Sequence, residues 1–142
     1  MSAAWIAEVL GGESPAGAAY SARLRDLTRE GLPAEAVASL ARNLGIQRGR
    51  LALVLGIPDR TLSRRISSGS KLTREESDRV MRFARVLGTA KETLGSTEKA
   101  GRWLQIPNRA LGGETPFELL DTDAGVQSVE AVLGRIAYGV YS

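Results

Sequence analysis

The sequence contains no cysteine and no histidine. The absence of cysteine excludes disulfide bonds and thiolate nucleophiles, and the two absences together exclude zinc sites built from Cys and His. Without histidine there is also no His-based catalytic triad and no imidazole general base. A hydrolytic or metal-dependent enzyme would therefore depend on carboxylates, Lys, Ser and Tyr alone, and we expect no cofactor and no metal site.

Long apolar runs and strand-like patterns are also missing. No stretch approaches the roughly 20 apolar residues of a membrane-spanning helix, and no basic segment followed by an apolar run marks a secretory signal. We therefore expect a cytoplasmic protein with no membrane partner. The 142 residues, of which 43% are hydrophobic, suffice for one domain or two very small ones. Because the apolar residues follow helical spacing, we predict an all-α fold.

The strongest motif is a pair of short helices joined by a tight turn, between Arg50 and Ser67. Gly56 favours a sharp reversal after the first helix, because glycine adopts positive φ without steric cost. Pro58 suits the start of the second helix, where its missing N–H would have no partner. Apolar residues three to four apart give each helix an inward face: Leu51, Ala52 and Leu55 in the first, Leu62 and Ile66 in the second. The pattern predicts a helix-turn-helix, whose second helix lies in the DNA major groove, although an ordinary helical hairpin has the same spacing.

Positive charge is concentrated around this motif. Residues 47–91 contain eleven Lys and Arg against four Asp and Glu, a net charge of +7 in a chain whose total is +3. A generic solvated surface would mix the two signs, so this segregation indicates a face that binds a polyanion. The predicted DNA-binding residues lie on the outside of the second helix and in the loop after it: Arg60, Thr61, Ser63, Arg64, Arg65 and Lys71. Since one helix covers few base pairs, we expect a homodimer on an inverted-repeat operator.

A long helix should follow the motif. Thr73 and Glu76 have the spacing of a capping box, and an apolar stripe continues to a predicted helix end at Gly88. Its arginines either contact DNA phosphates or form a solvated face, and the sequence favours neither interpretation: Arg79, Arg82 and Arg85.

The C-terminal part predicts further short helices. Thr115 to Glu118 fits a capping box with Pro at the first helical position. A last helix, expected from Ala124 to Tyr141, carries an apolar stripe of the kind found in helix-to-helix seams: Val126, Val129, Leu133, Ile136 and Val140. Little chain remains to cover the end of this stripe, and uncovered apolar surface usually indicates a partner. Trp103, by contrast, is equally well explained as a core residue of a small helical unit.

The run from Trp103 to Leu120, WLQIPNRALGGETPFELL, resembles the C-terminal toxin-binding domain of Xre/ParS-type antitoxins. With a helix-turn-helix ahead of it, the chain is similar over residues 33–142 to the Xre antitoxins of RES-Xre type II toxin–antitoxin systems. The resemblance implies that the C-terminal region blocks the active site of a RES-domain toxin that degrades NAD, and that the complex represses its own operon. The expected toxin-binding residues are Trp103, Leu104, Leu111, Ile136, Tyr138, Val140 and Tyr141.

These features together predict three segments. Residues 1–18 form a flexible arm, residues 19–92 a helix-turn-helix DNA-binding domain, and residues 93–142 a small helical toxin-binding domain. One alternative is a plain helix-turn-helix repressor whose C-terminal half only dimerises. An enzyme is disfavoured, because the clustered carboxylates lie at helix starts where capping explains them: Glu75, Glu76, Asp78, Asp121 and Asp123.

Overall fold

A computed structural model describes residues 25–139 of the chain, and this part is helical, with an isolated bridge between Pro33 and Lys71 as its one β-type pairing. The all-α prediction is therefore confirmed. A helical segment over residues 25–30 is followed by α1 (Glu35–Leu44), α2 (Arg48–Val54), α3 (Asp59–Ser68), α4 (Arg74–Leu94), α5 (Thr97–Leu104), a 3₁₀ turn (Arg109–Leu111), α6 (Pro116–Leu119) and α7 (Asp123–Ala137). Within the described residues no helix is both long and apolar enough to span a membrane.

The ends of α4 and α7 differ from those expected. The capping box at the start of α4 is present, since the Thr73 hydroxyl accepts from Glu76 N–H and the Glu76 carboxylate accepts from Thr73 N–H. However, α4 continues past Gly88 to Leu94, because a buried glycine inside a helix costs only about 1 kcal/mol. The last helix ends at Ala137 rather than Tyr141, where Gly139 adopts a φ of 70°.

The core is one cluster of buried side chains to which both halves of the chain contribute. Phe83 of α4 packs edge to face on Phe117 of α6, with ring centroids 5.7 Å apart and an interplanar angle of 75°. The Arg50 guanidinium carbon lies 4.8 Å from the centroid of the Phe117 ring on α6. The Arg82 guanidinium of α4 also pairs with the Asp123 carboxylate of α7 at 2.9 Å. The predicted boundary near residue 92 thus falls inside a continuous packing unit, and the division at that residue stays a prediction.

The start of α7 depends on a close backbone contact that only glycine permits. Thr122 caps the helix by accepting from Gly125 N–H at 3.0 Å. A Cβ atom added at Gly125 would lie 1.7 Å from the Leu119 carbonyl oxygen. Since this neighbour is backbone, it has little freedom to move away.

We therefore expect Gly125→Ala to lower the free energy of unfolding by about 1–3 kcal/mol or more, because α6 and α7 must separate to admit the methyl group. Gly134→Ala is the matched control, since it lies in the same helix and its added Cβ would meet nothing within 4 Å. The control should gain up to about 1 kcal/mol from helix propensity. Urea unfolding of the two variants measures both effects, and equal stabilities would contradict the contact.

Candidate functional site

Helices α2 and α3 form the predicted helix-turn-helix. Gly56 has a φ of 71° at the turn, and Pro58 is the N-cap residue of α3. Between them Ile57 is fully buried, and its N–H donates to the Ala52 carbonyl at 2.9 Å. This bond closes the turn and fixes the direction in which α3 leaves it.

The outward face of α3 carries two exposed arginines. Leu62 is fully buried and anchors the inner face, whereas Arg60 and Arg64, four residues apart, are exposed. Neither has an ion-pair or hydrogen-bond partner among residues 25–139. Ser67, three residues after Arg64, is exposed on the same face and was missed in the sequence, although its spacing from Arg64 indicates it.

The other predicted residues of this face have different surroundings. Lys71 is exposed in the loop, while Thr61 and Ser63 are half-buried. The Ser63 hydroxyl accepts from Arg48 Nη2 at 3.0 Å, and Arg48 Nε also lies 3.6 Å from Asp59 Oδ1. Arg48 thereby joins the start of α2 to α3 and holds the angle between the two helices.

The prediction that Arg65 faces outward, toward DNA, is wrong. Its side chain is 22% exposed and its guanidinium pairs with the Glu76 carboxylate, which is itself 11% exposed. Burial raises the pKa of the Glu76 carboxyl. The hydrogen bonds from Thr73 and Arg65, with the charge of Arg65, outweigh that effect, so the pKa of Glu76 is lowered overall. The pair fastens the C-terminal end of α3 to the first turn of α4.

Two of the arginines on α4 also serve the fold. Arg79 Nε donates to the Leu55 carbonyl at 2.6 Å and thus supports the turn of the helix-turn-helix. Arg82 makes the link to Asp123 of α7 described above. Arg85 is exposed, and its guanidinium has no partner in the described part of the chain. The structural links of Arg79 and Arg82 correspond to neither interpretation of this helix, whereas both interpretations still apply to Arg85.

In the C-terminal half, the prediction that Leu104 binds the toxin is wrong. Its side chain is fully buried in the core, so it cannot contact a partner while the domain is folded. Trp103 and Leu111 are half-buried at the surface. Leu111 lines a cleft of about 470 Å³ between the 3₁₀ turn and α7, with Leu119 on one side and Val132 on the other.

The apolar stripe of α7 is covered over its first part and becomes more accessible toward its end. Its first three members are buried against the rest of the core: Val126, Val129 and Leu133. Ile136 is half-buried, and Tyr138, just past the helix, is 86% exposed. Val140 and Tyr141 lie outside the described residues. Two further apolar side chains are exposed, Leu53 at 79% and Ile106 at 59%. The sequence did not reveal them, because Leu53 lies in a helix and Ile106 beside a turn, and no neighbouring residue distinguishes either from a buried apolar residue.

The structure defines a helix-turn-helix protein in which the helix-turn-helix packs on a small helical module. Family comparisons agree with that class. Residues 23–85 match the antitoxin Xre-like helix-turn-helix domain. Residues 89–139 match the antitoxin Xre/MbcA/ParS C-terminal toxin-binding domain.

Relatives extend the match over most of the chain. Antitoxin Xre of Photorhabdus laumondii is 37% identical over 120 residues, which cover 84% of this chain and 81% of that protein. Antitoxin Xre of Yersinia enterocolitica is 33% identical over the same shares of the two chains. The chain therefore belongs to the Xre antitoxin family.

More distant relatives carry related names. The Prs ADP-ribosylating antitoxin of a Sphingobium species is 30% identical over 97 residues, covering 62% of this chain and 61% of that protein. A chain of the crystal structure of the M.tuberculosis MbcT-MbcA toxin-antitoxin complex matches with a TM-score of 0.58 and 23% identity. It covers 77% of this chain and 96% of that one, and at this identity the likeness shows the fold alone.

The Arg65–Glu76 pair predicts a pH dependence of stability. Because the pKa of Glu76 is lowered by folding, its contribution is fully present above the unfolded pKa, 4.5, and is lost as the pH falls through the folded pKa. Glu76→Gln should lower the free energy of unfolding by about 1–3 kcal/mol at pH 7, since a charged hydrogen bond is lost. The difference from the wild type should shrink toward pH 3.

Urea titrations at pH 7, 5, 4 and 3 measure this difference. Glu75→Gln is the control, because Glu75 is exposed in the same helical turn and has no ion pair to Arg65, so the substitution should lower the stability at pH 7 by less than Glu76→Gln. A deficit for Glu76→Gln that stays constant from pH 7 to pH 3 would show that ionisation of Glu76 is not the source of its effect.

Proposed function

We propose that the chain is a type II antitoxin that neutralises a RES-domain, NAD-degrading toxin with its C-terminal domain and represses its own operon through α3. The observation that carries the proposal is the succession of two family domains in one packed unit, an Xre-like helix-turn-helix and an Xre/MbcA/ParS toxin-binding domain. The toxin-binding domain beside the helix-turn-helix is the feature that favours an antitoxin over a plain repressor. The protein acts by binding, and catalysis is not part of the proposal.

The DNA-reading role is assigned to Arg60 and Arg64. Both are exposed on the outward face of α3, and a free guanidinium is suited to bidentate hydrogen bonding with guanine in the major groove. Thr61, Ser63 and Lys71 complete the face toward bases and phosphates. Arg65 holds α3 in place through Glu76, so its role is to position the helix. A homodimer would place two copies of α3 on half-sites about 10 base pairs apart or a multiple of that distance.

The toxin-binding role is assigned to the surface around the end of α7. Tyr138 is exposed and Ile136 half-buried, and Trp103 and Leu111 are partly accessible on the same half of the chain. Aromatic and apolar anchors of this kind dominate the affinity of helix-in-groove complexes. Val140 and Tyr141 lie outside the described residues and are assigned the same role from the sequence alone. ADP-ribosylation, which appears in the name of one relative, consumes NAD and so supports a toxin that acts on NAD.

We expect Arg60→Ala and Arg64→Ala each to weaken binding to the promoter DNA of the chain's own operon by about 1–3 kcal/mol and to reduce discrimination against random DNA. Fluorescence anisotropy with the two DNAs measures both quantities. Arg102→Ala and Arg109→Ala are charge-matched controls, since both arginines are exposed in the C-terminal half. Unchanged affinity and discrimination in the double variant Arg60→Ala/Arg64→Ala would remove the assignment.

Ending the chain after Arg135 should abolish protection of cells from the toxin while leaving promoter binding nearly intact, because α3 lies far from the removed residues in the sequence. Tyr138→Ala in the full chain should weaken toxin binding by at least about tenfold, as expected for an exposed aromatic anchor. Calorimetric titration with the purified cognate toxin and growth rescue measure these effects.

Glu130→Ala is the control for Tyr138→Ala, since Glu130 is exposed on the same helix. If the truncated protein still folds, binds the toxin tightly and rescues growth, the blocking surface lies elsewhere, with Trp103 and Leu111 the next residues to replace. If no partner protein is bound by the full chain, the plain repressor remains.

A further inference from the structure

An open groove of about 620 Å³ lies on the outward face of α4, beside the helical segment over residues 25–30. It is separate from the outward face of α3, none of whose residues line it. Arginines dominate its lining: Arg25, Arg29, Arg74, Arg79, Arg82 and Arg85. We call this feature the arginine groove.

Within residues 25–139, most of the arginines of the groove have no ion-pair partner. Arg79 and Arg82 are engaged with Leu55 and Asp123. The guanidinium groups of the remaining four have no hydrogen-bond or ion-pair partner within the described range, 25–139: Arg25, Arg29, Arg74 and Arg85. Two carboxylates line the groove too, Glu75 and Asp78, but neither approaches an arginine within 4.0 Å in this part of the chain.

The position of Arg74 is unfavourable for the local fold. Arg74 is the first residue of α4, where the positive end of the helix dipole disfavours a cation. The following residues, Glu75 and Glu76, have the charge that this end prefers. Arg74 is thus a cation in a position that its own helix disfavours. It is also exposed, and its guanidinium has no partner among the described residues. This combination, in a groove lined by other cations, indicates an anionic ligand.

The shape of the arginine groove favours an extended anion over a small one. Arg74 and Arg85 are eleven residues apart on one helix, which is about 16 Å at 1.5 Å per residue. Phosphates of one DNA strand follow each other every ~3.4 Å along the axis, so several would lie within that length. None of the described side chains that line the groove is aromatic and one is aliphatic, Met81, so it offers no platform for a nucleotide base.

The groove also adjoins the helix-turn-helix. Arg79 lines it and donates to the Leu55 carbonyl in the turn between α2 and α3. The groove arginines from Arg74 to Arg85 belong to the segment 47–91, where the net charge is +7, whereas the C-terminal residues 92–142 carry four Lys and Arg against seven Asp and Glu. Continuity with the helix-turn-helix favours nucleic acid over an acidic protein segment as the ligand.

We propose that the arginine groove binds the sugar-phosphate backbone of duplex DNA without reading its sequence, as a second contact beside that of α3. The inference rests on the proposed DNA binding and deepens it, since α3 would supply sequence discrimination and the groove would supply affinity and salt dependence.

The test compares Arg74→Gln/Arg85→Gln with the charge-matched control Arg102→Gln/Arg109→Gln and with Arg60→Ala/Arg64→Ala. All six residues are exposed, and thermal melts establish that each variant is folded. Affinity for promoter DNA and for random-sequence DNA of equal length is measured by anisotropy from 50 to 200 mM salt. The slope of log K against log salt is negative, and each lost phosphate contact reduces its magnitude by about 0.9.

The groove variant should bind both DNAs more weakly at 50 mM salt and keep the wild-type ratio between them. The affinity of the wild type should fall between 50 and 200 mM salt by some factor, and for the groove variant that factor should be about ten times smaller, as the loss of two phosphate contacts predicts. Arg60→Ala/Arg64→Ala should instead lower the ratio between promoter and random DNA.

A groove variant with the affinity and salt slope of the control would overturn the inference, and so would an unchanged DNA affinity with weakened toxin binding, which would assign the groove to protein. In either case an altered ratio for Arg60→Ala/Arg64→Ala would leave the proposed function standing. If the wild-type chain binds neither DNA, the proposed function fails and the groove inference fails with it.

Discussion

Burial of the apolar face of α4 is the interaction on which both halves of the molecule depend. This helix supplies Val80, Phe83, Ala84 and Leu87 to the core, and α5 and α7 both pack against it. Phe83 meets Phe117 from the C-terminal half, while Arg79 on another side of the helix supports the turn before α3. The orientation of the helix-turn-helix and that of the C-terminal unit are therefore set by one shared scaffold.

Cations in this protein have two kinds of role, and their surroundings distinguish the two. Arg48, Arg65 and Arg79 each bond to a neighbouring element and hold the helix-turn-helix together. Arg60 and Arg64 lie outside this network and are free to bind a ligand. The planar guanidinium offers several hydrogen-bond donors in a fixed geometry, which suits arginine to links between neighbouring elements. Part of the positive charge of the basic segment therefore serves the fold. Net charge alone overstates the number of residues available to DNA.

Much of the fold follows from local signals in the sequence. The turn at Gly56, the capping box at Thr73 and Glu76, and the inward residues of α2 and α3 were all evident, because each depends on residues within one or two helical turns. The surface was harder to predict. The outward position of Arg65 was predicted wrongly, since it depends on how α4 packs alongside α3. The burial of Leu104 is of the same kind.

The contact between Phe83 and Phe117 also bears on how such proteins can diversify by recombination. A crossover that joined this helix-turn-helix to a different C-terminal domain would have to provide a ring against Phe83, and a carboxylate within reach of Arg82. Without them the exchange would leave a cavity and an unpaired cation at the junction. Functional exchange between relatives is therefore expected to keep α4 together with the C-terminal half.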